Sequence, residues 1–175
     1  ARKEAERKAA TKKAREDIMR PFGIDLTFYD LANMPEATFA ELHESTRLAL
    51  LALEEEPVEG AWALDAGTGS GVLALAAAAL GAAGVVACDT DSEAVFVARE
   101  NLRLHPFGER VWLVAAGAQA LGGSFAIVVA NLLPEEFLPI RGSLLSRVAP
   151  RGHFILSGIP AEREEEVVSR LRSKR

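Results

Sequence analysis

Between residues 61 and 89 the chain sets out the groups needed to seat an adenosine. Ala61-Trp62-Ala63-Leu64-Asp65 reads as a short strand and runs through Ala66 into Gly67-Thr68-Gly69-Ser70-Gly71, then into the apolar stretch from Val72 to Leu80. Glycines in such a turn remove the side chains that would hold a ligand off the backbone, and they adopt conformations that other residues resist. A second apolar run, Val85-Val86-Ala87-Cys88, ends in Asp89. A carboxylate at that place can accept hydrogen bonds from both hydroxyls of a ribose.

The spacing separates cofactor classes. A dinucleotide site asks for G-x-G-x-x-G, whereas here the glycines fall as G-x-G-x-G and Val72 stands where the third dinucleotide glycine belongs. No G-x-x-x-x-G-K occurs, which excludes a P-loop. A sulfonium that carries adenosine without pyrophosphate needs no phosphate cradle at a helix N-terminus, so a carboxylate such as Asp65 is tolerated beside the turn. The plainer alternative makes the glycines mere turn formers and Asp89 a helix cap. Asp91 or Ser92 is the better cap, offering its oxygen to the amides of Ala94 and Val95 and leaving Asp89 without a structural duty.

Bringing a turn and a carboxylate side by side requires adjacent strands that run the same way. The chain supplies them as alternating apolar runs and helical stretches, with strands expected near 61–65, 84–88, 111–115, 125–130 and 152–157, and helices near 70–80, 92–104, 134–148 and 161–173. An earlier helix is expected within Glu36 to Glu56, where Phe39, Leu42, Leu48, Leu51 and Ala52 recur near helical spacing before Pro57 and Gly60. Runs such as Ile127-Val128-Val129 are apolar on both faces, as they are when helices cover both sides of a sheet. The fold class that follows is α/β, doubly wound, with a mainly parallel sheet.

Composition bounds the rest. At 175 residues with 49% hydrophobic residues, one domain is expected. A net charge of -5 argues against a globally basic nucleic-acid-binding domain. The single cysteine, Cys88, permits neither an intrachain disulfide nor a cysteine metal cage and fits a reducing cytoplasm. The longest apolar stretch, Val72 to Leu80, is far short of the roughly 20 residues of a membrane span. Residues 1–20 form a separate basic helix or leader, in which Arg2, Lys3, Arg7, Lys8, Lys12, Lys13, Arg15 and Arg20 outnumber the acids. Pro21-Phe22-Gly23 then ends it, leaving 21–175 as the domain. The leader reads either as a solvated face or as a local contact for RNA through residues 2–20.

After the fourth strand come Asn131-Leu132-Leu133-Pro134, which resemble the Asn-initiated motif that amino-group methyltransferases place beside the transferred methyl. Together, LDAGTGSGVLALAA, ACDTDSEAVFVARENLRLH, FAIVVANLL and RGHFILSGI resemble in order and spacing the PrmA-like ribosomal-protein lysine methyltransferases, over residues 35 to 170. The resemblance implies a class I, Rossmann-like methyltransferase domain with S-adenosylmethionine as cofactor. It also implies cofactor contacts at Thr46 in HESTRLALLALE, at Gly67, at Asp89 and at Asn131. On this pattern Gly67 and Gly69 let the backbone reach the methionyl end, Asp65 orients the loop or the cofactor's ammonium, and Gly117-Ala118 lies near the adenine. Asn131 is the catalytic residue, its side-chain carbonyl and the Leu132 backbone carbonyl aiming the lone pair of a lysine or amine on a protein substrate such as a ribosomal protein. No metal is required.

The sequence departs from the family in three places. The glycine-rich segment F-G-x-G-x-H reads here as Phe39-Ala40-Glu41-Leu42-His43 and is expected to be an ordinary helix. The basic leader stands in place of a separate N-terminal recognition domain, and the sequence stops where two further antiparallel strands would follow. His43, a lone histidine, reads as a surface or cap residue. The rival readings are a methyltransferase of RNA or of a small amine, and a module that holds the cofactor or an RNA without transferring anything.

Overall fold

The computed structural model describes residues 43–172. The basic leader at 1–20, the domain boundary after it and the Phe39–Leu42 segment lie outside them. Ten regular elements follow one another: α1 (Glu44–Glu55), β1 (Trp62–Ala66), α2 (Val72–Ala79), β2 (Gly84–Asp89), α3 (Ser92–Arg103), β3 (Val111–Ala115), β4 (Phe125–Asn131), α4 (Pro134–Arg147), β5 (Val148–Ser157) and α5 (Glu164–Arg172). The five strands form one sheet in the order β3-β2-β1-β4-β5, and every pairing is parallel. This is the expected doubly wound architecture.

Strand order explains the layers. Ala63, Val85, Ala87, Ile127, Val129 and Ile155 point to one face, where they pack with Ala49 and Leu53 of α1 and with α2. Leu64, Ala66, Cys88, Val128 and Ala130 point to the other, against Phe137 and Leu144 of α4 and Val167 of α5. Helix α2 is buried from Val72 through Ala78, which is why its sequence has no polar face. The order reverses between β1 and β4, so the segments leaving those two strands diverge and open a crevice at their C-terminal ends.

Most expected boundaries fall within a residue or two of the observed ones. Two starts differ by more: β5 begins at Val148 and not near 152, and α5 begins at Glu164 and not near 161, because Ala161–Arg163 forms a separate 3-10 turn ahead of it. Phe125 pairs with Val148 but Ile127 pairs with His153, so the longer strand bulges. Arg151 takes φ 63, and a side chain at Gly152 would stand 2.9 Å from the carbonyl oxygens of Ala126 and Ala149. Pro150-Arg151-Gly152 is the irregular stretch within the strand, lying where the register with β4 shifts. Toward the β3 edge of the sheet, Trp62 of β1 and Trp112 of β3 stack with centroids 5.1 Å apart. They meet over Gly84 of β2, where a Cβ would lie 2.7 Å from both rings.

Candidate functional site

The turn after β1 is fixed to the end of β2. Gly67, Gly69 and Gly71 have φ values of 73°, 54° and 85°, conformations that cost L-residues about 1–2 kcal/mol each. The N–H groups of Gly67 and Thr68 both donate to the Cys88 carbonyl, at 2.9 and 3.0 Å. Gly69 N–H donates to Asp89 Oδ2 at 2.9 Å, and Asp91 N–H to Asp89 Oδ1 at 3.0 Å. Asp89 therefore does carry a structural duty, contrary to expectation: it ties the glycine turn to β2 from 20 residues away. Asp91, as expected, caps α3, although the amide it takes is that of Glu93, at 2.9 Å.

The glycines differ in what surrounds them. A side chain at Gly67 would collide with Leu132 Cδ2, whereas nothing lies within 4 Å of the corresponding point at Gly69. Leu132 occupies the side-chain direction of the first glycine, so the backbone open to a ligand is that of the second.

Asp65 is wholly buried on the face that α2 covers. Its Oδ2 accepts from Thr68 Oγ1 at 2.6 Å and from Ala74 N–H at 3.0 Å. Gly71 occupies the N-cap position of α2 and has no side chain with which to cap, so Asp65 satisfies the Ala74 N–H from the preceding strand. Burial pushes its carboxyl up to about 6, with the Asp89 charge adding to the rise and the two hydrogen bonds opposing it. Burial, with the Asp65 charge beside it, also pushes the Cys88 thiol up to about 12, leaving it a neutral core residue.

A second cluster stands on the other side of the crevice. Asn131, the last residue of β4, donates from Nδ2 to Thr46 Oγ1 in the first turn of α1, at 3.0 Å. That bond orients the amide so that Oδ1 faces away from Thr46. It points toward Gly158 (φ 83), where a Cβ would lie 2.9 Å from Asn131 Oδ1 and 2.7 Å from the Leu132 carbonyl oxygen. Glycine there keeps two carbonyl-type acceptors uncovered. They line an open cavity of about 980 Å³ bounded by Leu48 and Ala52 of α1, Leu133 and Ser157, and Val168 and Leu171 of α5, with Glu44, Glu136 and Glu164 also on its wall. Helix α5 is held to α4 by Arg163, which donates to Glu135 and Glu166, both at 2.6 Å. His43 is exposed beside Ser45 Oγ at 2.9 Å, in keeping with a cap or surface residue.

Gly67, Gly69, Asp65 and Asp89 are thus brought together around one turn, and Thr46 with Asn131 around the next. Leu132 links the two. Gly117 and Ala118 lie at the end of β3, the strand paired with Asp89. Gly158 and Ser157 were missed as site residues in the sequence. Both lie inside RGHFILSGI, and nothing in that text says which of its residues face a cavity.

The sequence and the fold both have known relatives. A family model described as ribosomal protein L11 methyltransferase (PrmA) matches residues 40–175. Curated ribosomal protein L11 methyltransferases are similar: that of Trichlorobacter lovleyi is 45% identical over 128 residues, covering 70% of this chain and 42% of the relative. That of Pelobacter propionicus is 47% identical over 130 residues, covering 71% and 42%. The chain therefore spans about two fifths of the length of the curated relatives it matches. Among solved structures, the ribosomal protein L11 methylase from Lactobacillus delbrueckii subsp. bulgaricus superposes with a TM-score of 0.69 at 34% identity, over 74% of this chain and 67% of that one.

Proposed function

This chain belongs to the ribosomal protein L11 methyltransferase (PrmA) family, and from that premise we propose that it is an S-adenosylmethionine-dependent N-methyltransferase domain acting on a lysine or amine of a ribosomal protein. The observation that carries the proposal is the Asn131 amide, whose Nδ2 is engaged by Thr46 so that Oδ1 is left, beside the Leu132 carbonyl, at the mouth of a mainly apolar cavity.

The residues present fit the cofactor. Gly69 offers uncovered backbone, and each Asp89 carboxylate oxygen accepts one internal N–H. A carboxylate oxygen has lone pairs for more than one donor, so both remain able to receive a ribose hydroxyl. Asp65 holds the turn in place through Thr68 and Ala74. When bound, S-adenosylmethionine supplies an electrophilic methyl group on a cationic sulfur.

The chain's own part is to bind, orient and dehydrate the acceptor. A lysine ammonium, with a pKa near 10.4, has no lone pair until it loses a proton. Apolar walls such as Leu48, Ala52 and Leu171 disfavour the charged form and so promote that loss. Asn131 Oδ1 and the Leu132 carbonyl then accept from the nitrogen's remaining N–H groups and set the direction of its lone pair, which is catalysis by alignment. No acid-base residue or metal is called for in this reading, which also places the protein in the cytoplasm with its ribosomal substrate and gives the basic residues between 2 and 20 a local RNA contact.

Calorimetry with S-adenosylmethionine and S-adenosylhomocysteine, followed by transfer of labelled methyl to ribosomal protein L11, tests the proposal. Asn131→Ala should bind cofactor within about twofold of the parent and lose transfer by about a hundredfold or more. Cofactor binding without labelled product in the parent would make the chain a binding module, and transfer intact in the variant would remove Asn131 from the mechanism.

A further inference from the structure

We infer that the acceptor lysine lies in a basic stretch of its protein, and that Glu44 and Glu164 on the wall of the acceptor cavity receive a second cation of the same substrate; this rests on the amine-methylation reading above. Three helices start at that cavity. Helices α4 and α5 follow β4 and β5, so their first turns lie near the C-terminal ends of those strands, and the Thr46 to Asn131 bond brings the first turn of α1 to the same place. Each of these turns carries a glutamate onto the cavity wall, Glu44, Glu136 and Glu164. Among the described residues no lysine or arginine lines the cavity, and the remaining titratable side chain there, His43, stands beside Ser45 Oγ.

The carboxylates are not equivalent. Glu136 accepts from Leu133 N–H at 2.9 Å, and the neighbouring Glu135 and Glu166 are committed to Arg163. Glu44 and Glu164 are exposed, and among the described residues neither accepts a hydrogen bond nor pairs with a cation. A negative charge in a first turn favours its own helix wherever that helix begins. Helix stability therefore accounts for an acid in each turn, but not for their convergence on one concavity without a cation. The same wall gives an independent indication of the ligand: Asn131 Oδ1 and the Leu132 carbonyl, kept uncovered by Gly158, accept N–H donors beside aliphatic side chains. An ammonium on an alkyl chain fits that surface. No phenylalanine, tyrosine or tryptophan among the described residues lines it for a nucleobase to stack on. The surplus negative charge attracts a second cation near the acceptor and opposes the phosphates of a nucleic acid.

The test measures methyl transfer from S-adenosylmethionine to N-acetylated peptides with one acceptor lysine, flanked either by arginines or by glutamines. The parent chain should favour the arginine-flanked peptide in kcat/KM by about fivefold at low salt, an advantage that shrinks to under about twofold near 0.5 M salt. In the Glu44→Gln, Glu164→Gln double variant KM for the arginine-flanked peptide should rise about fivefold, with kcat, KM for the glutamine-flanked peptide and S-adenosylhomocysteine affinity each within about twofold of the parent. The Glu162→Gln, Glu165→Gln variant removes the same charge from α5 and the turn before it, at residues that do not line the cavity, and should keep the parent's preference. Equal transfer to both peptides by the parent, a preference that survives in the first variant, or an equal loss in the second would overturn this inference and leave the amine reading standing. Cofactor binding by the parent without transfer to either peptide would overturn both.

Discussion

Replacing Asp65 by asparagine should flatten the pH dependence of stability between pH 7 and 5. The carboxyl is wholly buried and pushed from its ordinary 3.8 up to about 6, chiefly by loss of solvation. At 1.36 kcal/mol per unit, that displacement corresponds to about 3 kcal/mol of preference for the protonated form in the folded chain. The sign follows from proton counting. Between about pH 4 and pH 6 the folded chain binds more protons at this site than the unfolded chain, so stability falls as pH rises through the window and recovers as pH falls through 6. By pH 5 about 1 kcal/mol is regained relative to pH 7, which at a urea m-value of about 2 kcal/mol/M moves the midpoint upward by about 0.5 M. Asparagine retains one acceptor oxygen for Thr68 and Ala74 but does not titrate. Urea unfolding of both proteins at pH 7, 6 and 5 should show the midpoint difference between parent and variant shifting by that amount in the parent's favour at low pH. The same pH slope in both would refute the attribution to a buried carboxylate.

Three further outcomes follow from the same geometry. Asp89→Asn leaves one carbonyl oxygen where two carboxylate oxygens now receive Gly69 and Asp91 N–H groups; calorimetry should show S-adenosylhomocysteine binding weakened at least tenfold, and thermal unfolding a midpoint lower by about 2–4 °C. Gly158→Ala puts a methyl group 2.7 Å from the Leu132 oxygen and 2.9 Å from Asn131 Oδ1 at a φ of 83°; methyl transfer should be lost while cofactor affinity holds within twofold, and near-parent transfer would discount the cavity as the acceptor site. Thr46→Val removes the acceptor that orients the Asn131 amide; kcat/KM for the acceptor should drop about fivefold to tenfold, the effect of roughly 1 kcal/mol. A fall in cofactor affinity instead would mean that Thr46 touches the cofactor, as the family pattern implies.

Much of this was legible in the chain because the signals were local. Glycines at 67, 69 and 71 and the apolar β2 run ending in Asp89 predict a turn meeting a neighbouring carboxylate, and the Gly69 to Asp89 hydrogen bond realises it. Parallel pairing was readable from strands with no polar face. The bulge in β5 was not, since Pro150-Arg151-Gly152 has the same composition inside a strand as outside one. Asp65 as a remote cap for α2 was only half legible: the sequence suggested a loop-orienting role, but the Ala74 partner lies nine positions away on another element. Ser157 and Gly158 were hidden for a related reason. Their importance comes from strand register and from the Leu132 carbonyl opposite, neither of which leaves a periodic trace.

The stacked indoles give the protein an internal optical reporter. Trp62 and Trp112 are its two tryptophans, and they sit on strands that touch only through β2, the strand that delivers Asp89. At a centroid separation of 5.1 Å their excited states interact, so near-ultraviolet circular dichroism carries a signal that vanishes once β1 or β3 leaves β2, while emission from each ring persists. Unfolding followed by both signals would distinguish fraying at β3 from collapse of the entire sheet.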